Sequence, residues 1–255
     1  MLARRRTAGG KEIDKFNAYK VLDLKFDGNL DDSSPYNQLV GCALFYSSGS
    51  YNINTQSIPA SYDGNSCIEL NPANMNVIFT VGEFFRLNFE SPFLQIYRTD
   101  FTIEGWIYTN NASSSHTISS CWDNDTTTPI TRDHLLQVIN QNITFSLYSS
   151  STKSVSANNV ITPQTWHHFA VTLEGDSLRI FVNGVLANTT SISGFGSQSN
   201  NSSYYHCIAH YFVKRETSGS RTAEYRFDGK LDDFRLYKGV AKYTSSFTPP
   251  ARGKY

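Results

Sequence analysis

The sequence has little charge, no long apolar run and almost no helix-building pattern. Charged residues make up only 17% of the 255-residue chain, and Ser, Thr, Asn, Tyr and Phe stand where long helices would use Ala, Glu, Lys and Leu. Lysine plus arginine equals aspartate plus glutamate at 22 each, so no global field draws the chain to nucleic acid or to an anionic membrane. No stretch approaches the roughly 18 consecutive apolar residues of a membrane span. The N-terminus MLARRRTAGGKEIDKF lacks the apolar centre of a secretory signal. These absences predict a soluble protein with no membrane insertion, not exported by a signal of its own. Cysteine is scarce too: Cys42, Cys67, Cys121 and Cys207 show no Cys-x-x-Cys spacing, which argues against a zinc site or a dense disulfide framework. Buried thiols are the favoured reading, with Cys42–Cys67 and Cys121–Cys207 bridges as the alternative.

What the chain does have is a 39% hydrophobic and 14% aromatic content, enough to bury a substantial single core. Period-two alternation recurs from Tyr19 onward, with Leu22, Leu24 and Phe26 on one side and Asp23, Lys25 and Asp27 on the other. It returns in Phe101–Glu104 and in Leu178–Val182. The last of these runs into Asn183-Gly184 and then Val185-Leu186, a strong hairpin signal because both turn residues tolerate positive φ. Polar, turn-rich segments separate the runs, and helices are expected only as single turns. Many strands with one apolar face each are satisfied by two sheets packed face to face.

Four blocks then carry a family resemblance: FTIEGWIY at 101–108, TWHHFAVT at 165–172, LRIFVNGV at 178–185 and FDGKLDDFRLY at 227–237. In this order they resemble the laminin-G-like, concanavalin-A-like jelly-roll domains, over residues 21 to 250. The resemblance is weakest at 71–96, where an extra hairpin is expected. It implies an all-β, antiparallel two-sheet jelly-roll sandwich. The expected organisation is a basic N-terminal arm at 1–18, the domain at 19–249 and a tail at 250–255. The ending KGVAKYTSSFTPP at 238–250 is similar to the close of such domains in virion proteins of bacteriophages and environmental viruses. That similarity implies a capsid or tail protein, assembled in the host cytoplasm and displayed on the virion surface.

The fold hosts hydrolases, lectins and scaffolds alike, so each chemistry is weighed on residues. Glycanases of this fold use closely spaced carboxylates on one strand. Here Glu104 stands alone beside Trp106 and Tyr108, while Glu174 and Asp176 flank Gly175 in a turn, and the expectation is a non-enzyme. Several laminin-G-like domains hold calcium, which makes Asp27, Asp31, Asp32, Asp232 and Asp233 candidate ligands. The competing and favoured reading is that these aspartates bond local backbone N–H groups in turns. Lectins of the fold stack an aromatic on the sugar and bind its hydroxyls with Asp and Asn. Among the loop aromatics Tyr46, Tyr51, Tyr62, Trp122, Tyr148, Tyr204 and Tyr205, the choice falls on Trp122 with Asp123, Asn124 and Asp125, joined by Tyr148, Tyr204 and Tyr205. The same aromatics could serve protein contacts.

His167 and His168 are strand neighbours and point to opposite faces, so they cannot share a metal. The sequons at Asn111, Asn124, Asn142, Asn188, Asn200 and Asn201 follow from the abundance of Ser and Thr. Arg4, Arg5 and Arg6 suit docking onto other virion proteins better than nucleic-acid binding. The resulting expectation is a virion surface protein attaching to host glycans, with a structural cementing protein as the alternative and a glycan hydrolase a distant third. FDGNLDD at 26–32 returns as FDGKLDD at 227–233. The repeat is read as matching Asp-Gly corners where the first and last strands pair, which predicts that 20–27 and 231–238 are hydrogen-bonded neighbours.

Overall fold

The computed structural model describes residues 14–26, 31–36, 40–45, 51–53, 68–70, 77–81, 96, 99–122, 132–149, 151–196, 206–209, 211–215, 221–224 and 227–253. After a single 3-10 turn at Asn17–Tyr19 the described elements are all strands. They are β1 (Lys20–Leu24), β2 (Val40–Phe45), β3 (Tyr51–Ile53), β4 (Ile68–Leu70), β5 (Val77–Val81), β6 (Phe101–Thr109), β7 (Ser115–Trp122), β8 (Arg132–Ile139) and β9 (Asn142–Tyr148). There follow β10 (Thr152–Ala157), β11 (Trp166–Glu174), β12 (Ser177–Val182), β13 (Val185–Ser191), β14 (His206–Ile208), β15 (Tyr211–Arg215), β16 (Arg221–Glu224) and β17 (Gly229–Lys238).

Two antiparallel sheets result. One runs β1-β17-β6-β11-β12-β13, with β4 also pairing β17, and the other runs β10-β9-β8-β7-β14-β5-β2-β3; a ribbon β15-β16 stands apart. The first and last strands do meet, Leu22 opposite Leu236 and Leu24 opposite Phe234. Part of the extra segment is a strand, since β5 lies between β14 and β2. The remainder, 71–76 and 82–95, lies outside the described residues, as does Asp27-Gly28 of the first FDG. The second FDG is a strand entrance and not a corner. Gly229 has φ 145° and a Cβ there would overlap the Tyr108 carbonyl oxygen, while Asn110 Nδ2 donates to Asp228 Oδ1 (2.8 Å).

Between the sheets lie Leu22, Leu24, Ile103, Phe169, Val171, Ile180, Phe234 and Leu236 from one side and Ile118, Leu136, Val138, Phe145 and Leu147 from the other. Each such side chain contributes roughly 1.5–3 kcal/mol on leaving water. Gly105 is glycine because the Phe169 ring sits 3.1 Å from where its Cβ would be. The Asn183-Gly184 hairpin forms as the sequence predicts, with φ 51° and 78°.

One feature departs from an alternating half-wet pattern: β1, β11 and β17 are buried on both faces. The cause is the segment after β17, which crosses back over the outer face of its own sheet. Thr102 Oγ1 donates to Val240 O (3.0 Å) and Thr172 Oγ1 to Tyr243 O (2.9 Å). Phe247 N then donates to Gly184 O (2.8 Å) and Gly253 N to Asp233 Oδ2 (2.6 Å). This strap, 239–253, includes Arg252, whose Nη1 donates to Asp232 Oδ2 (3.3 Å) and whose guanidinium lies over the Trp166 ring.

Candidate functional site

Strand register brings Trp122 and Tyr148 to one end of the eight-stranded sheet. β7 finishes with Trp122 opposite Arg132, where β8 begins. His134 then faces Leu147, so β9 finishes at Tyr148 beside the start of β8. On the other side of β7, Cys207 pairs Ser120, so β14 begins beside the last turn-ward residues of β7. Asp123, Asn124, Asp125, Tyr204 and Tyr205 are the remaining candidates of this set. These five residues lie outside the described ones, and Trp122 is described by its backbone. Tyr148 is half-buried, on the outward side of β9 with Thr144 and Ser146. Cys121 is buried and one position out of register with Cys207; Cys42 is in β2, and Cys67 lies outside the described residues. Tyr51 begins β3, and Tyr46 and Tyr62 are not described.

The acidic candidates lead elsewhere. Asp32 Oδ1 accepts Asp23 N (2.8 Å) and Ser34 N (2.9 Å), and its Oδ2 accepts Ser34 Oγ (2.7 Å), the turn role expected of such a residue. Asp233 accepts Arg235 Nη2 and Gly253 N, Asp232 takes Arg252, and Asp31 is exposed. Among the described residues no group of three or more His, Cys, Asp or Glu is placed to hold a metal ion. Asp27 and Arg4, Arg5 and Arg6 lie outside the described residues.

Under the strap is a buried charge network. Glu104 is fully buried, accepting Lys242 Nζ (2.5 Å) and Tyr243 Oη (2.7 Å). Arg235 Nε donates to Asp23 Oδ1 (3.0 Å), and Lys20 Nζ to Asp23 Oδ2 (2.9 Å). Tyr237 Oη donates to Asp14 Oδ2 (2.5 Å), which ties the root of the N-terminal arm to the domain. Burial raises the Glu104 carboxyl, but Lys242, His168 and Arg235 outweigh it and bring it to about 2. Burial lowers His168 to about 4 against the pull of Glu104, whose Oε2 lies 3.7 Å from its Nε2. Burial raises the Asp233 carboxyl despite Arg235 and Gly253 N, and it raises Tyr237 as well. A carboxylate held ionised and dry under a lysine cannot lend a proton to a leaving group, so Glu104 is built for cohesion, not acid catalysis. Glu174, partly exposed, pairs with Arg179 (3.1 Å) beside the Gly175 turn.

The two histidines do point apart. His167 bonds Thr162 (3.1 Å) and Asn183 Nδ2 (3.2 Å), while His168 packs edge-on to Trp106 and Phe247 on the strap side. An arrangement with no signature in the sequence lies in the core. Ser119 Oγ is 3.1 Å from His134 Nε2, and His134 Nδ1 is 3.3 Å from Asp133 Oδ2. The order is that of a nucleophile, base and orienting acid, yet all three are fully buried. Asp133 also accepts Ile96 N (3.3 Å), and the His134 ring stacks on Phe145. At this depth no substrate reaches these atoms, and their chemistry is that of a core hydrogen-bond network.

Two antiparallel sheets packed over one core, one of them holding the first and last strands side by side, define the lectin-like jelly-roll class. Residues 87–242, more than half of the chain, match a laminin-G-type family described as the concanavalin A-like lectin/glucanases superfamily, and the chain belongs to that superfamily. A comparison with curated proteins finds no match. Among solved structures the fold is similar to the receptor-binding domain of botulinum neurotoxin D, at 15% identity and TM-score 0.57, covering 89% of this chain and 51% of that one. It is similar to the binding domain of botulinum neurotoxin serotype C1, at 17% identity and TM-score 0.58, covering 89% and 50%. The binding domain of botulinum neurotoxin DC, solved with rat synaptotagmin II, matches at 15% identity and TM-score 0.56, covering 89% and 50%. The chain thus spans about half the length of these domains, and at such identities the likeness is one of fold.

Proposed function

We propose that this protein is a non-enzymatic, lectin-like component of a virion surface that attaches to host glycans through the Trp122 loop end. The observation that supports it most is the register of β7, β8 and β9, in which the backbone of Trp122 and the half-buried Tyr148 fall at the same end of the sheet. Aromatic faces with Asp and Asn beside them are the groups that stack on a pyranose and take its hydroxyls. Superfamily membership and likeness to toxin receptor-binding domains support a binding role. The arm, with Arg4, Arg5 and Arg6, docks on neighbouring capsid or tail subunits, and many weak copies gain strength by multivalency. The test is a glycan array probed with multimerised protein. Wild type should bind a defined glycan set, and Trp122→Ala should abolish the signal while leaving the melting temperature unchanged. A blank array for wild type, with and without calcium, removes the lectin reading.

A second reading, a cementing protein that grips neighbouring subunits, has one observation in its favour. The arm root is fastened to Tyr237 near the end of β17, so a partner held by the arm would sit against the domain itself.

A further inference from the structure

We infer that the strap 239–253 is an acid-operated latch: protonation of His168 draws the Glu104 carboxylate away from the strap, which then lifts from the sheet while the sandwich stays folded. His168 stands on β11 with its side chain on the strap side and is 1% exposed, and among the described residues neither ring nitrogen has a hydrogen-bond partner. Register sets it in one row with Trp106 of β6 and Asp232 of β17. The Phe247 ring of the strap closes over it edge-on, at 5.7 Å between centroids. A neutral imidazole suits that apolar cover. An imidazolium does not, because it brings a charge and two N–H donors into a dry space where the one carboxylate within reach among the described residues is Glu104, its Oε2 3.7 Å away.

That carboxylate already serves the strap. Its Oε1 accepts Lys242 Nζ (2.5 Å) and its Oε2 accepts Tyr243 Oη (2.7 Å), and both donors are strap residues. A charged His168 competes with them for the same two oxygens, and it sets a third cation beside Lys242 and Arg235, which both act on Glu104. The other charged and titratable groups of this face have partners of their own: Arg235 on Asp23 and Asp233, Lys20 on Asp23, Arg252 on Asp232, Tyr237 Oη on Asp14. The strap is also the piece able to leave. Single bonds hold it, several to side chains: Lys242 N donates to Thr102 Oγ1 (2.9 Å), Leu186 N to Ser246 Oγ (3.0 Å) and Gly253 N to Asp233 Oδ2 (2.6 Å). β6 beneath it is laddered on both sides, to β11 and to β17. A segment outside the ladders opens at lower free energy than the strands it covers.

An open strap returns His168 to water and to its ordinary value of 6.5, against about 4 when covered. The open form therefore binds the proton more tightly, and acid favours opening. Hydrogen–deuterium exchange on the full chain tests this from about pH 7.5 to about pH 5, before Glu104 contributes. Corrected for intrinsic exchange, the opening constant at the strap amides of Lys242, Phe247 and Gly253 should rise about 30-fold over that range, while amides of the β6–β11 ladder keep their higher protection. His168→Gln and His168→Phe should each leave the strap constant flat, with His167, which turns to the other face, still present in both. A strap constant indifferent to pH in the wild type, strap and ladder amides that lose protection together, or a 30-fold rise that survives in either variant would each overturn the inference. Should neither variant fold, the wild-type comparison of strap with ladder decides alone.

Discussion

His168 shows what burial does to a single side chain. Neither ring nitrogen has a hydrogen-bond partner, and the ring is held neutral with a folded value of about 4 against 6.5 when free. A group depressed on folding gives stability that is fully present above its unfolded value and is lost as pH falls toward its folded one. Unfolding free energy should therefore decline between pH 6.5 and 4, by on the order of 3 kcal/mol from this group, with His167 acting in the same direction. Glu104 extends the loss from 4.5 down toward 2. Denaturant titrations across this range check the slope. His168→Phe should flatten it above pH 4 at little cost in stability, because no hydrogen bond is broken; an unchanged slope would exonerate His168. Gly184→Ala should cost at least about 2 kcal/mol, since its φ is 78° and a Cβ would overlap the Phe247 carbonyl oxygen.

At the scale of elements, the strap decides how the seven-stranded sheet can carry charges on a dry face. Phe247 packs on Phe181 (5.5 Å) and stacks on Tyr243 (3.5 Å). Phe247→Ala should destabilise by about 2–3 kcal/mol, read by thermal melting. It should also raise hydrogen exchange at Thr172 and Thr102, whose side chains hold the strap. Local chemistry made part of this legible. Asn183-Gly184 announces a hairpin, and the repeated FDG phrase marks the strands that do pair at the seam. The strap was not legible, because Glu104 meets Lys242 across a separation of 138 residues and an alternating strand is read as wet on its polar side. Asp23 stands on the polar side of its strand for that reason and is core, as is its partner Arg235. Ser119, His134 and Asp133 likewise meet only because β7 pairs β8. The loop residues were chosen singly for their chemistry; that Trp122 and Tyr148 share an end follows from sheet order, which no short motif encodes.

For the whole molecule, the described domain begins at Asp14, which is fastened to Tyr237 and lies 3.5 Å from Lys20 Nζ. Removing residues 1–13 should leave the melting temperature unchanged and abolish incorporation into particles; full incorporation would end the docking role of Arg4, Arg5 and Arg6. The attachment account makes a sharper demand on the Trp122 end. Hydrogen–deuterium exchange with and without the best glycan from the array measures it directly. Protection is predicted at 119–125, 132–148 and 204–208, with the strap and the outer face of the seven-stranded sheet unaffected. Protection confined to the strap side, with the Trp122 end unchanged, would contradict it.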